Sequence, residues 1–184
     1  EKWDEFRKMH SAEFEAMKTL YGQQPLFSDS YEEEIDRVVY DCYPLHPAST
    51  FILPRLSERV AQNERTLFTF ISAKGDATLS SFLAQHEDDE FALATPDLIY
   101  DYFEPLLKQE AYSGNLHKYY TLTSSILRKI DASSLEAKIV KTLALIYILE
   151  HFEKIKPTLD ELTGIYSYYG ADAVNEAVKR LVED

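Results

Sequence analysis

Apolar residues recur at steps of three and four along almost the whole chain, and little interrupts them. Trp3, Phe6, His10, Phe14, Met17 and Tyr21 share one face of a helix predicted over residues 1–21. A chain patterned this way must bury stripes of helix against one another. Turn formers are correspondingly scarce, with 5 Gly and 7 Pro in 184 residues. That disfavours the many short, turn-linked strands of a sandwich or barrel. The expected fold class is all-α, a multi-helix bundle followed by a helix-turn-helix unit resembling a truncated winged helix.

Gly22 closes the first helix. Ser30 is expected to cap the next, with Glu32, Glu33 and Glu34 in its first turn, where negative charge suits the helix dipole. Its apolar side is Ile35, Val38, Val39 and Cys42. Pro44 and Pro47 then break the chain and bias Tyr43 and His46 away from helix. A helix over about residues 49–62 follows, with Pro54 kinking it or lying near its start. Asn63 reads as the cap of a helix over residues 64–72, and Thr78 as the start of another over residues 79–85. Residues 91–94 read as a short extended piece. Thr95-Pro96-Asp97 is a strong helix start, a cap followed by proline at the first helical position. That helix reaches about residue 110, and another spans about residues 115–130.

The last fifty residues read as a unit of their own, which divides the chain into a bundle over residues 1–132 and a second unit over residues 133–184. Ser134 caps a helix whose inward residues are expected to be Leu135, Ile139, Leu143, Ile146, Tyr147 and Phe152. Thr158 and Glu161 have the spacing of a capping box. Asp172 opens a last helix with Val174, Val178, Leu181 and Val182 inward. Long helix, short helix, turn, helix is the helix-turn-helix order. A winged helix would add a two-stranded wing, and the sequence stops before one. It opens at Glu1 inside a helical pattern with no initiator Met, so a piece of something longer is expected.

Charge narrows the partners. Nineteen basic residues against 32 acidic give −13, which repels phosphate backbones and anionic membranes. Weak DNA binding or none, and no membrane, are expected. No stretch approaches a membrane span and no signal peptide is visible. Cys42 is the only cysteine, so no internal disulfide can form, which fits a reducing, cytoplasmic compartment. In the last helix, residues 172–184 carry four acids against Lys179 and Arg180, the wrong sign for a helix lying in the major groove.

The motifs of catalysis are missing. The pair Lys74-Gly75 has none of the surroundings of a phosphate-cradling loop. Ser80 and Ser81 lack a nucleophile elbow. Asp41, Cys42 and His46 are splayed by prolines and lack paired ligand spacing, and His86 sits in a hydrated acidic loop, so no metal is expected. Asp97, Asp101 and Glu104 share a helix face and read as solvated surface. One stretch runs against the acidic background: residues 46–65 hold Arg55, Arg59 and Arg65 against Glu58 and Glu64. A guanidinium fork suits phosphate or carboxylate. The structural alternative is that Asn63 caps a helix and Arg65 pairs with a neighbouring acid.

Cys42-Tyr-Pro-Leu-His-Pro47, Leu53-Pro-Arg-Leu-Ser57 and Ala61-Gln-Asn-Glu-Arg-Thr-Leu-Phe-Thr-Phe70 together resemble a segment of large bacterial P-loop ATPases, including those of phage-exclusion defence systems. There the pattern follows the nucleotide-binding core. The C-terminal unit resembles the winged-helix element that follows the helical lid in initiator-type ATPases of the AAA+ class. The resemblance implies a lid-like region plus part of a winged helix, relaying nucleotide state to partners or DNA. Arg65 would be the nucleotide-sensing residue or arginine finger, with His46, Asn63 and Glu64 as its supporting motif. ATP and Mg would belong to the core of the parent protein, since this chain has neither Walker A nor Walker B. The partners implied are that core and other subunits. The alternative is a free-standing acidic helical adaptor.

Overall fold

The structure, a computed structural model, describes residues 1–27, 32–60, 66–109 and 114–183, and over them the chain is all-α. Eleven α-helices follow one another: α1 Lys2–Met9, α2 Ser11–Gly22, α3 Glu32–Asp36, α4 Pro47–Val60, α5 Leu67–Ser72, α6 Leu79–Leu83, α7 Pro96–Gln109, α8 Asn115–Leu127, α9 Leu135–Leu149, α10 Leu159–Ile165 and α11 Ala171–Glu183. A π-helical turn, Arg37–Asp41, continues α3. The extended piece at Ala94 makes a single parallel bridge to Leu45, through Ala94 N–H to the Pro44 carbonyl at 2.8 Å and His46 N–H to the Ala94 carbonyl at 3.1 Å.

α9 is the helix around which the others gather. Ser134 caps it, its Oγ accepting from the Ala137 N–H at 3.1 Å. Leu, Ala and Ile dominate its sequence, and it packs against α4, α7, α8 and α11. Nine of its fifteen residues are buried. A single inward stripe is therefore the wrong reading, and two of its expected members face out. Tyr147 and Phe152 are each 37% exposed and stack at the surface, with Tyr147 also against Tyr119 of α8. The same correction applies to α11, where Val174 and Ala177 are buried while Val182 is 80% exposed.

One apolar core runs through Tyr21, Phe51, Leu56, Phe70, Phe103, Leu145, Ile165 and Val174. A smaller one, Phe14, Met17, Ile35 and Val39, fastens the N-terminal arm, with the rings of Phe6, Tyr43 and Phe91 packed on it. Phe14 meets Phe91 at 5.2 Å and Tyr43 at 5.4 Å between ring centres. These contacts also explain why the helix predicted over residues 1–21 is two. His10 leaves the helical region at φ −105°, ψ 26°, its ring lying 4.5 Å from Phe6 and 5.4 Å from Phe91, and its Nε2 2.8 Å from the Asp89 carbonyl. A contact 79 positions away outweighs the local helical preference.

Two caps differ from the sequence expectation. α5 starts at Leu67 behind Thr66, not behind Asn63, which lies outside the described residues together with Ser30. Thr66 and Thr69 form the reciprocal capping box there, and Ser57 Oγ accepts the Leu67 N–H at 2.9 Å. At α10 only half of the expected box forms. Thr158 Oγ1 accepts from the Glu161 N–H, while the Glu161 side chain is buried.

Candidate functional site: a charged cleft and two buried polar junctions

The first junction is built on the start of α7. Asp97 sits in the first turn, where the helix dipole favours a carboxylate. Its Oδ1 accepts from the Thr95 hydroxyl and, at 2.9 Å, from the Tyr166 hydroxyl. Lys138 Nζ reaches Oδ2 at 3.1 Å. Tyr166 oxygen also lies 2.6 Å from Thr142 Oγ1 and 3.0 Å from the Lys138 carbonyl. Three elements, the N-terminus of α7, the flank of α9 and the end of α10, are thereby tied at one point. Burial pushes the Tyr166 phenol far up, and Asp97 adds to it. Burial pulls the Lys138 ammonium down, and Asp97, with smaller help from Tyr169 and Asp101, more than offsets this, leaving it above its ordinary value.

One turn further along α7, Asp101 meets Lys141 of α9, at 2.7 Å from Oδ1 and 3.0 Å from Oδ2. Glu104 accepts from the Tyr120 hydroxyl of α8 at 2.5 Å. With Lys108, Ser124 and Arg128 these residues line a cleft of about 490 Å³ between α7, α8 and α9. Burial raises the Asp101 carboxyl, and Lys141 counteracts it. Each carboxylate of the cleft already has a partner. Its lining contains no His and no Cys. Among the described residues no group of three metal-ligating side chains converges either.

The second junction centres on His46, which is 1% exposed. Pro47 is the first residue of α4, and His46 caps it: its Nδ1 accepts the Ala48 N–H at 3.0 Å. That role leaves the proton on Nε2, which faces the Tyr21 hydroxyl at 3.4 Å. Burial depresses the imidazole to about 3, against a smaller upward effect of the Gly164 carbonyl, so the ring is neutral. From α10, Glu161 approaches the same junction as a buried carboxyl.

Arg65, Asn63 and Glu64 lie outside the described residues, and His46 stands in the interior with both ring nitrogens facing protein groups. Arg55 is spent locally: its guanidinium lies 3.7 Å over the Phe51 ring and donates to the Phe51 carbonyl at 2.9 Å. Burial raises the Cys42 thiol, which is the opposite of activation. The reading of Asp97, Asp101 and Glu104 as a solvated face is corrected at Asp97, which is 6% exposed. Its partners lie 41 and 69 positions later in the chain, where no local pattern points to them. One signal was there: acids four apart at Asp97 and Asp101 match lysines three apart at Lys138 and Lys141. No family model, curated protein or solved structure matches this chain.

Proposed function

We propose that this chain is a non-catalytic helical interaction module of a larger, cytoplasmic, bacterial ATP-binding protein, passing nucleotide state from the core of that protein to its partners. The observation that supports the non-catalytic half is the spent state of the polar groups. Asp97, Asp101 and Glu104 are each engaged by Lys138, Lys141 and Tyr120, and they cross-link helices. The ATP-binding half rests on the resemblance of residues 42–70 to P-loop ATPases, with ATP and Mg held by the parent core. In this reading α9, α10 and α11 form a helix-turn-helix that packs against protein. Supporting that, α11 is acidic on balance and its Arg180 is engaged by Glu136 of α9. A free-standing adaptor is the alternative, and a Walker A motif encoded upstream of Glu1 decides between them.

Arg65 is the residue through which the reading is tested. As an arginine finger it would stabilise charge developing during phosphoryl transfer, so Arg65→Ala lowers hydrolysis by the parent by roughly a thousandfold. Thermal unfolding of this chain stays unchanged. If Arg65 instead clamps a buried carboxylate, the substitution destabilises the chain by about 3–5 kcal/mol. Unchanged hydrolysis ends the functional assignment of Arg65.

A further inference from the structure

Thr158 and Glu161 have the spacing of a reciprocal cap, yet the second half is unmade. Thr158 Oγ1 accepts the Glu161 N–H at 3.3 Å, while the Thr158 N–H turns to the Lys156 carbonyl at 2.9 Å. Glu161 is 8% exposed, and its Oε1 is buried without a hydrogen-bond partner among the described residues. A glutamate at this position ordinarily reaches back to the cap N–H, and as an anion it also suits the helix N-terminus. The side chain thus occupies a dry seat, while the Lys156 carbonyl fills the wet one at the cap.

The dry seat lies where α2 meets α10. Gly164, one turn after Glu161, has no side chain to hold the helices apart. A Cβ there would lie 3.3 Å from Leu20 Cδ2 and 3.6 Å from the Tyr21 hydroxyl. Tyr21 faces the carboxyl from α2, close enough for its charge to push the phenol further up, and His46 stands beside Tyr21 ahead of α4. No described cation offsets the burial of Glu161, which alone lifts its carboxyl to about 7. His46 is held neutral at about 3 and the Tyr21 phenol lies well above its ordinary value, so neither changes charge near neutral pH.

We propose that Glu161 is a proton-controlled latch between α10 and the α1–α2 arm. Protonated, it stays in the dry junction beside Tyr21. Ionised, it swings out and takes the Thr158 N–H from the Lys156 carbonyl, and the contact between the end of α2 and α10 loosens.

The sign follows from linkage. The Glu161 carboxyl moves from an ordinary 4.5 to about 7 on folding, so the folded state holds this proton longer. Its contribution is full below the unfolded value and falls as pH rises towards the folded one, by up to about 300-fold in the folding constant. His46 acts the other way. Its value drops from 6.5 to about 3 on folding, so stability is lost as pH falls below 6.5. Between 4.5 and 6.5 the two slopes oppose each other. The difference between wild type and Glu161→Gln, which keeps His46 constant, isolates the latch.

The experiment takes the full chain in both forms. Denaturant unfolding from about pH 4 to pH 9 should show the Gln variant gaining on wild type through the interval in which Glu161 ionises, then levelling off. Hydrogen exchange along Ser11–Gly22 should match in the two proteins at about pH 5 and be slower in the variant at about pH 8. A carbon NMR titration of wild-type Glu161 should have its midpoint above the ordinary 4.5 and below the value of about 7 that a carboxylate held in the dry seat would show, and it serves as the test even if the variant does not fold. A midpoint at the ordinary carboxyl value, or equal exchange of α2 in both proteins at high pH, overturns the latch.

Discussion

Replacing Asp97 by alanine is expected to destabilise the chain by about 3–5 kcal/mol, the range for removing one partner of a buried charge pair. The substitution leaves three donors behind at once. The Lys138 ammonium, two thirds buried, loses its carboxylate, and the Thr95 and Tyr166 hydroxyls lose their acceptor. Tyr166 keeps the Lys138 carbonyl and Thr142 within reach, which limits the damage there. For a chain of this size the loss corresponds to roughly 10 °C in melting temperature. Lys138→Met should cost less, because Asp97 then retains both hydroxyl donors. The double variant should cost less than the sum, by about 0.5–3 kcal/mol, since the cation no longer lacks a partner. Additive losses would mean that the two residues are not coupled.

Leu145→Ala is the second large effect. Leu145 is fully buried on α9, and a leucine truncated to alanine in a close-packed interior costs about 2–5 kcal/mol, more where the cavity cannot collapse. Its particular value lies in where the loss is felt. Core residues from Tyr21 to Ala177 belong to one apolar cluster, with α9 against α4, α7, α8 and α11. Trp3 is the only tryptophan and sits in the N-terminal aromatic cluster, 5.7 Å from both Phe6 and Tyr43. That cluster rests on the smaller core, which α2 ties to the larger one by carrying Phe14 and Met17 of the first and Tyr21 of the second, so the fluorescence midpoint should fall as far as the midpoint followed by far-ultraviolet circular dichroism. A shift confined to the dichroism would show that the N-terminal arm melts separately.

Helices were the legible part of this sequence, because the period and the caps are local. Ser134, Thr78 and Thr158 cap the helices that follow them, and the Pro44 and Pro47 break stands where the prolines place it. Inward faces were legible only for helices with one buried side. α9 touches neighbours on several sides, so its burial is set by where α4, α7, α8 and α11 lie, and three-and-four spacing cannot report that. The polar junctions were illegible for a related reason. Asp97 looks like an exposed acid until Lys138 and Tyr166 are brought to it, and Glu161 looks like a surface cap until the fold buries it with Tyr21 nearby. Both depend on contacts between distant segments, which periodicity does not encode.

The central claim, that this chain contributes contacts and not nucleotide chemistry, is tested most directly by calorimetric titration of ATP-Mg into the isolated chain. The motivation is the acidic balance of −13 and the missing phosphate loop. The predicted result is no saturable heat across the micromolar range. Stoichiometric binding with a low-micromolar Kd would contradict it.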